Sequence, residues 1–291
     1  MSLPLVSVVV PTHNRPEMLA EALASVRAQT FTDYEIIVVS NGENDDMRGQ
    51  SRACATPYGA RYFELSEGNV SIARNYGVNQ AYGEWIAFLD DDDLWVPTKL
   101  ERQIAEARRT GADMVSCDYV EFYPDGREIV HRPRFTDGLS RIKAISLLHW
   151  WSPTSVAIIR KAVFDQTGGF DPRLWSCEDM DMWRRISWRH SIHHVKDILM
   201  RYRQGHASKV QQKRRCYRNE LQHFRKMYDD TPQDLRWTLP TAVAFLPPRL
   251  LGIYGPDWFL ALCVRIRPRA QWIKFRQWLW TRTRKNQKYG T

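Results

Sequence analysis

The sequence predicts an α/β fold on a mostly parallel, doubly wound sheet, followed by a helical C-terminal extension. Two observations predict it. Over the first 120 residues, β-branched runs alternate with segments of helical periodicity, the spacing of strand–helix–strand units. One apolar run, Ile86-Ala87-Phe88-Leu89, then closes on four aspartates, Asp90 to Asp93. Open α/β sheets place their ligands at such carboxyl strand ends.

Each element has its own signal. Leu5 to Val10 is a β-branched run that stops at Pro11. The helix expected from Pro16 to Gln29 puts Leu19, Leu23 and Val26 on one face, with Asn14 as N-cap. Tyr34 to Val39 reads as a buried strand before the turn Asn41-Gly42, and Ala60 to Leu65 as a third strand. Ser71 caps an expected helix to Tyr82. Glu84 to Leu89 is the strand into the aspartates, Pro97 to Thr110 a helix, and Asp113 to Phe122 a strand. Beyond it, Thr136 to Trp150 is expected to be helical. Thr154 to Arg160 reads as a strand, then a helix runs to Thr167 and breaks at Gly168-Gly169. Glu178 to His190 places Met182, Trp183 and Ile186 on one helical face. Ser191 to Tyr202 contains one or two short strands, and from Gln211 the chain reads as helical and basic. These signals divide the chain at residue 208, with residues 209–291 as the extension.

The 43% hydrophobic content of the 291 residues suffices for a packed core. The net charge of +9 is unevenly spread. Residues 201–291 carry 20 Lys/Arg and 5 Asp/Glu, a net of +15, against 22 and 28 in residues 1–200, a net of −6. A separate task for the last third follows, with an anionic membrane or nucleic acid as the partner classes. Trp and Leu interleave with Arg and Lys there, as in Trp272-Ile273-Lys274-Phe275-Arg276-Gln277-Trp278. That pattern fits a helix lying on an anionic bilayer, whereas no apolar run reaches the length of a membrane span. Five scattered cysteines, an odd number without metal-ligand spacing, fit reduced thiols. The N-terminus runs straight into a strand without a signal-peptide pattern. A cytoplasmic protein peripheral to the inner face of the membrane is the expectation.

Four adjacent carboxylates repel one another and call for a cation among them. Hard oxygen ligands suit Mg²⁺ or Mn²⁺, which take one or two carboxylates and fill their remaining positions with substrate phosphates. The same charges could instead form a solvated cap on the helix that follows. Glu178-Asp179, opening a helix, could likewise serve only to complement its positive end.

Six motifs occur in order. They are Pro11-Thr12-His13-Asn14-Arg15-Pro16, Ser40-Asn41-Gly42, Asn69-Val70-Ser71-Ile72-Ala73-Arg74-Asn75, Asp90-Asp91-Asp92-Asp93, Gly168-Gly169-Phe170-Asp171 and Glu178-Asp179-Met180-Asp181-Met182-Trp183. Over residues 4–205 this series resembles the family 2 glycosyltransferases of GT-A fold. The resemblance implies a nucleotide-sugar donor, expected to be UDP-linked, a divalent ion, and transfer with inversion to a hydroxyl of a glycan or lipid-linked acceptor in surface polysaccharide synthesis. It implies that Pro11, Thr12 and His13 hold the nucleoside, His13 standing where an aromatic residue packs on the base. Asn41 departs from the usual aspartate; its amide oxygen still accepts from a uracil N3–H. Arg74 suits the diphosphate or the base. Asp92 is implied as the direct ion ligand, Asp90 as its Asp-x-Asp partner, and Asp90 and Asp91 as ribose contacts. Asp93 caps the next turn. Asp179 matches the base, with Glu178 orienting it or touching the acceptor. His206 stands as a third ion ligand, and Arg203 near the diphosphate. Trp150 and Trp151 precede a strand on the acceptor side. Asn14 and Arg15 are left to the helix start. A nucleotidyltransferase is the rival enzyme class, but Pro11 to Pro16 lacks its glycine-rich signature. A nucleic-acid-binding protein leaves Asp90–Asp93 unexplained.

Overall fold

The computed structural model describes residues 3–42, 44–66, 69–132, 152–174, 176–205, 226 and 229–233. The chain divides into two compact units, Met1–Met227 and Tyr228–Thr291, and the first carries the elements below. The helix expected over 136–150 and the basic helices after residue 211 fall outside the described residues.

Strands β1 (Val6–Thr12), β2 (Tyr34–Ser40), β3 (Arg61–Glu64) and β4 (Trp85–Phe88) alternate with helices α1 (Pro16–Arg27), α2 (Asp45–Ala55) and α3 (Val70–Asn79). The short β5 (Leu94–Trp95) leads to α4 (Lys99–Thr110), β6 (Met114–Phe122) and β7 (Glu128–His131). Then follow β8 (Ile158–Arg160), α5 (Lys161–Thr167), α6 (Glu178–Ser187) and β9 (Ile192–Arg203). The sheet runs β3-β2-β1-β4-β8-β6-β9-β5, with β7 on β6. β1 pairs in parallel with β2 and β4, and β2 with β3. β8 enters antiparallel to β4 and β6, and β9 then lies parallel to β6.

Alternation along β1 shows why the sheet is covered twice. Val6, Val8 and Val10 pack with Leu19, Leu23 and Val26 of α1, while Val9 packs on the opposite side with Ala73 and Val78 of α3. The second core also takes Phe164 of α5, Phe170, and Met182, Trp183 and Ile186 of α6. The valine side chains of the sheet set the height of α3: a Cβ at Gly77 would stand 2.5 Å from Val9 Cγ1. Only glycine lets this helix lie so close, and that closeness carries Arg74 to the end of the sheet.

Several local expectations are corrected. Asn14 does not cap α1; it takes φ 56°, and Arg15 is the capping residue without a side-chain bond. Asn69, not Ser71, caps α3, its Oδ1 accepting from Ser71 N and Ile72 N. Thr154–Val156 is a 3-10 turn before a three-residue strand. α2 had no apolar signal because it buries only Ser51 and Ala55; Asn44 caps it by accepting from Met47 N.

Candidate active site

The chain leaves β1 toward β2 on one side and returns through β4 on the other, so the carboxyl ends of β1 and β4 flank the switch point of the sheet. The aspartate run lies there, and its four carboxylates divide into two kinds. Asp91 and Asp93 are buried; Asp90 and Asp92 keep 23% and 15% of their side-chain surface exposed.

The buried pair tie the site together. Asp91 Oδ2 accepts from Thr12 Oγ1 at 2.7 Å and His13 N at 3.2 Å, locking the end of β1 to the end of β4. Asp93 accepts from Ser155 Oγ at 2.6 Å and from Arg203 N at 3.3 Å. The same Ser155 hydroxyl accepts from Asp90 N at 3.0 Å. Burial drives the carboxyls of both Asp91 and Asp93 upward from their usual range. For Asp91 the Arg15 charge opposes that rise. The expected ribose contact of Asp91 is therefore set in an inward-facing carboxylate already bonded to the protein.

The cations called for by the charge run are arginines. Arg15 bridges Asp91, at 2.6 Å from Nη2 to Oδ1, and Asp92, to which Nη1 donates. Arg74 is 3% exposed; its Nη2 reaches Asp90 Oδ1 at 2.6 Å and its Nη1 reaches Glu178 Oε1 at 3.0 Å. Arg203 donates from Nε to the backbone oxygen of Asp92 at 3.0 Å and from Nη2 to Glu21. Sequence reasoning missed Arg15, because its partners lie 77 residues further on and no local pattern signals them.

The nucleoside-side residues of the expectation do come together. Asn41 N donates to Thr12 O at 3.1 Å, and His13 Nδ1 lies 2.8 Å from Asn41 O. Oriented to satisfy its neighbours, the Asn41 amide donates to Thr12 O at 2.7 Å and accepts from Asn69 N at 3.1 Å. It thus joins the ends of β1 and β2 to the start of α3. Pro11 is the penultimate residue of β1, opposite Val39.

α6 supplies the third wall. Its first turn holds Glu178, Asp179 and Asp181, which suits the positive end of a helix. Asn75, next to Arg74, fixes the approach to this helix by accepting from Phe170 N at 2.9 Å and donating to Phe170 O at 2.8 Å. The motif's Arg–Asn pair therefore has two jobs: Arg74 holds carboxylates, and Asn75 holds the Gly168-Gly169-Phe170 segment.

Asp179 and Asp181 face opposite environments. Burial and then the Glu178 charge push the Asp179 carboxyl up to about 7, against a hydrogen bond from Met180 N and the Arg74 charge. Burial would also raise Asp181, but Arg185, Arg184 and Lys226 hold it down at about 2. Arg184 and Arg185 reach it at 2.6 and 2.8 Å, and Lys226 at 3.0 Å. A carboxyl near 7 is suited to take a proton at neutral pH; one at 2 is a fixed anion.

Among the described residues, no cluster of three or more His, Cys, Asp or Glu side chains could hold a metal by itself. Asp90 and Asp92 still fit Mg²⁺ or Mn²⁺. They offer oxygen only, they are the two partly exposed carboxylates of the run, and such ions are held by one or two carboxylates with phosphate and water completing the shell. His206, Trp150 and Trp151 lie outside the described residues.

The model of the glycosyl transferase family 2 matches residues 7–174, more than half of the chain. The chain belongs to glycosyltransferase family 2. It is 33% identical over 208 residues to an uncharacterized glycosyltransferase of Rickettsia bellii, covering 69% of this chain and 30% of that protein. A second, from Rickettsia typhi, is 30% identical over 207 residues, covering 69% and 64%. Glycosyltransferase AglE of Haloferax volcanii is 30% identical over 190 residues, covering 64% and 62%. The matched chain thus spans from 30% to 64% of the length of these curated relatives. Two solved structures share its fold. TarS residues 1–349 of S. aureus, in complex with UDP-GlcNAc, superpose with a TM-score of 0.67 at 18% identity, covering 85% of this chain and 73% of that one. The mannosyltransferase PcManGT of Pyrobaculum calidifontis, in complex with GDP-Man and Mn²⁺, gives 0.61 at 20% identity, covering 96% and 84%. Likeness at these identities is one of fold, and it bears out the GT-A expectation.

Proposed function

We infer that this family 2 member transfers a sugar, with inversion, from a UDP-linked donor to a hydroxyl of a glycan or lipid-linked acceptor in surface polysaccharide synthesis. The observation that carries the reading is that Arg74 joins Asp90 of the aspartate run to Glu178, the neighbour of Asp179, whose half-buried carboxyl is pushed up to about 7. The solved neighbours with UDP-GlcNAc and with GDP-Man and Mn²⁺ support a nucleotide-sugar donor and a divalent ion.

In this reading Pro11, Thr12, His13 and Asn41 border the nucleoside. Asp92 and Asp90 hold Mg²⁺ or Mn²⁺, which when bound neutralises charge growing on the diphosphate leaving group. His206 is proposed as a third ligand. The chain's own work is at Asp179. Its carboxylate takes the acceptor hydroxyl proton as that oxygen forms the new bond to the anomeric carbon. The bond to the diphosphate breaks on the opposite face, and its electron pair leaves with the nucleoside diphosphate. Burial and the Glu178 charge raise the proton affinity of Asp179, and the Arg74 charge moderates it. The basic region beyond residue 208 serves to bring the enzyme to an anionic membrane face; among the described residues no helix is long and apolar enough to cross one.

Calorimetric titration with a panel of UDP- and GDP-sugars, with Mn²⁺ and with EDTA, tests the reading. Ion-dependent binding of one nucleotide sugar is expected. Binding of none, or binding unchanged in EDTA, contradicts it.

A further inference from the structure

Both candidate ion ligands already have an arginine, and the two arginines differ in a way that matters. Arg74 is 3% exposed, is shared by Asp90 and Glu178, and lies over the Phe170 ring at 5.2 Å. Taking it off Asp90 strands a buried charge, which is strongly unfavourable. Arg15 is 31% exposed and stands on the loop between β1 and α1. One arm of its guanidinium holds Asp91, which is itself fixed by Thr12 and His13. The other arm rests on Asp92, the more accessible partner.

We propose that Arg15 is an exchangeable counter-ion for Asp92. It neutralises that carboxylate while no divalent ion is bound, yields Asp92 when one arrives, and stays anchored through Asp91. The proposal rests on Asp92 being an ion ligand, as read above. The physical reason is competition: a guanidinium donating to a carboxylate oxygen occupies its lone pairs and repels a second cation at contact distance. The released arm then faces the phosphates that complete the ion's shell, and a guanidinium favours such oxygens. Arg15 thereby weakens binding of the ion alone and favours binding of the ion together with a nucleoside diphosphate. Loading becomes coupled, and the aspartate run stays charge-balanced between turnovers.

The test is Mn²⁺ binding to the full chain, read by electron paramagnetic resonance of free Mn²⁺ and by thermal shift, with and without UDP. Wild type, Arg15→Gln and Arg15→Lys are compared. Arg15→Gln is expected to bind Mn²⁺ alone about threefold to tenfold more tightly than wild type, the range of one partly exposed ion pair and a modest coupling. Its melting temperature should fall without the ion and recover in excess Mn²⁺. Arg15→Lys, a point charge that cannot bridge two carboxylates, should lie between them and still exceed wild type. With saturating UDP the advantage of Arg15→Gln should disappear or reverse. Equal or weaker binding of Mn²⁺ alone by both variants, while wild type binds it with UDP, overturns the exchange and leaves Asp92 as a ligand. No Mn²⁺ binding by any of the three, with or without UDP, overturns both.

Discussion

Arg74 and Glu178 stand 104 residues apart in the sequence and meet at 3.0 Å, Nη1 to Oε1, at the carboxyl end of the sheet. The second arm of the same guanidinium reaches Asp90. One buried arginine therefore joins the aspartate run to the helix that carries Asp179. Asp90 and Glu178 share a counter-ion, so a change at either is felt at the other.

That relationship gives opposite signs for two substitutions. Turnover should rise with pH along an acidic limb near 7, where Asp179 gives up its proton. The Glu178 charge raises Asp179, so Glu178→Gln should move the limb down; the Arg74 charge lowers it, so Arg74→Gln should move it up. Rate against pH for both variants checks this. An unmoved limb in both variants would show that neither charge reaches Asp179, and shifts in the same direction would contradict the opposed signs.

Asp181 should matter to stability more than to chemistry. Asp181→Asn leaves Arg184, Arg185 and Lys226 without their shared anion, and breaking a buried ion pair costs about 3–5 kcal/mol. Urea denaturation measures it. Asp181 is held at about 2, below its usual 3.8, so its contribution is present above 3.8 and is lost as pH falls through 2. The stability gap between wild type and variant should close over that window. A gap that persists at lower pH would mean the ion pairs do not carry it.

Asp92→Ala should abolish the ion-dependent part of nucleoside diphosphate binding, because only Asp90 of the two partly exposed carboxylates remains. Isothermal calorimetry with Mn²⁺ and with EDTA measures this, and an affinity equal to wild type in both would remove Asp92 from the site.

The C-terminal third should bring the protein to anionic vesicles. Its net charge is +15 over residues 201–291, and each basic side chain near such a surface contributes about 1 kcal/mol. Co-sedimentation should weaken with salt without vanishing, since the Trp and Leu part is not screened. It should fall when the chain is cut near Arg236. Equal sedimentation of cut and full-length protein excludes this role, and preference for nucleic acid would favour the rival one.

Much of this was legible in the sequence, for local reasons. The valines of β1 and β2 announce strands because they are buried on both faces, and Leu19, Leu23 and Val26 announce α1 because they face one core. The order of the motifs pointed to the family. What stayed hidden depends on distant partners. α2 lacks an apolar stripe, and β7 exposes Ile129 and Val130. Arg15 reads as a helix start until β4 delivers Asp91 and Asp92 beside it. Asp179 and Asp181 look alike in sequence, and only folding puts three cations around Asp181 and leaves Asp179 beside Glu178 in a site that raises its carboxyl.

In the proposed reaction Asp179 takes the acceptor proton. The most direct test is Asp179→Asn, with donor affinity and nucleoside diphosphate release measured on the same preparation. The substitution keeps the size and the Met180 N–H acceptor and removes the basicity. Donor affinity should stay at the wild-type value while turnover falls about 10²–10⁴-fold, the usual contribution of a general base. Turnover near wild type with the same affinity would contradict the account and move the base elsewhere.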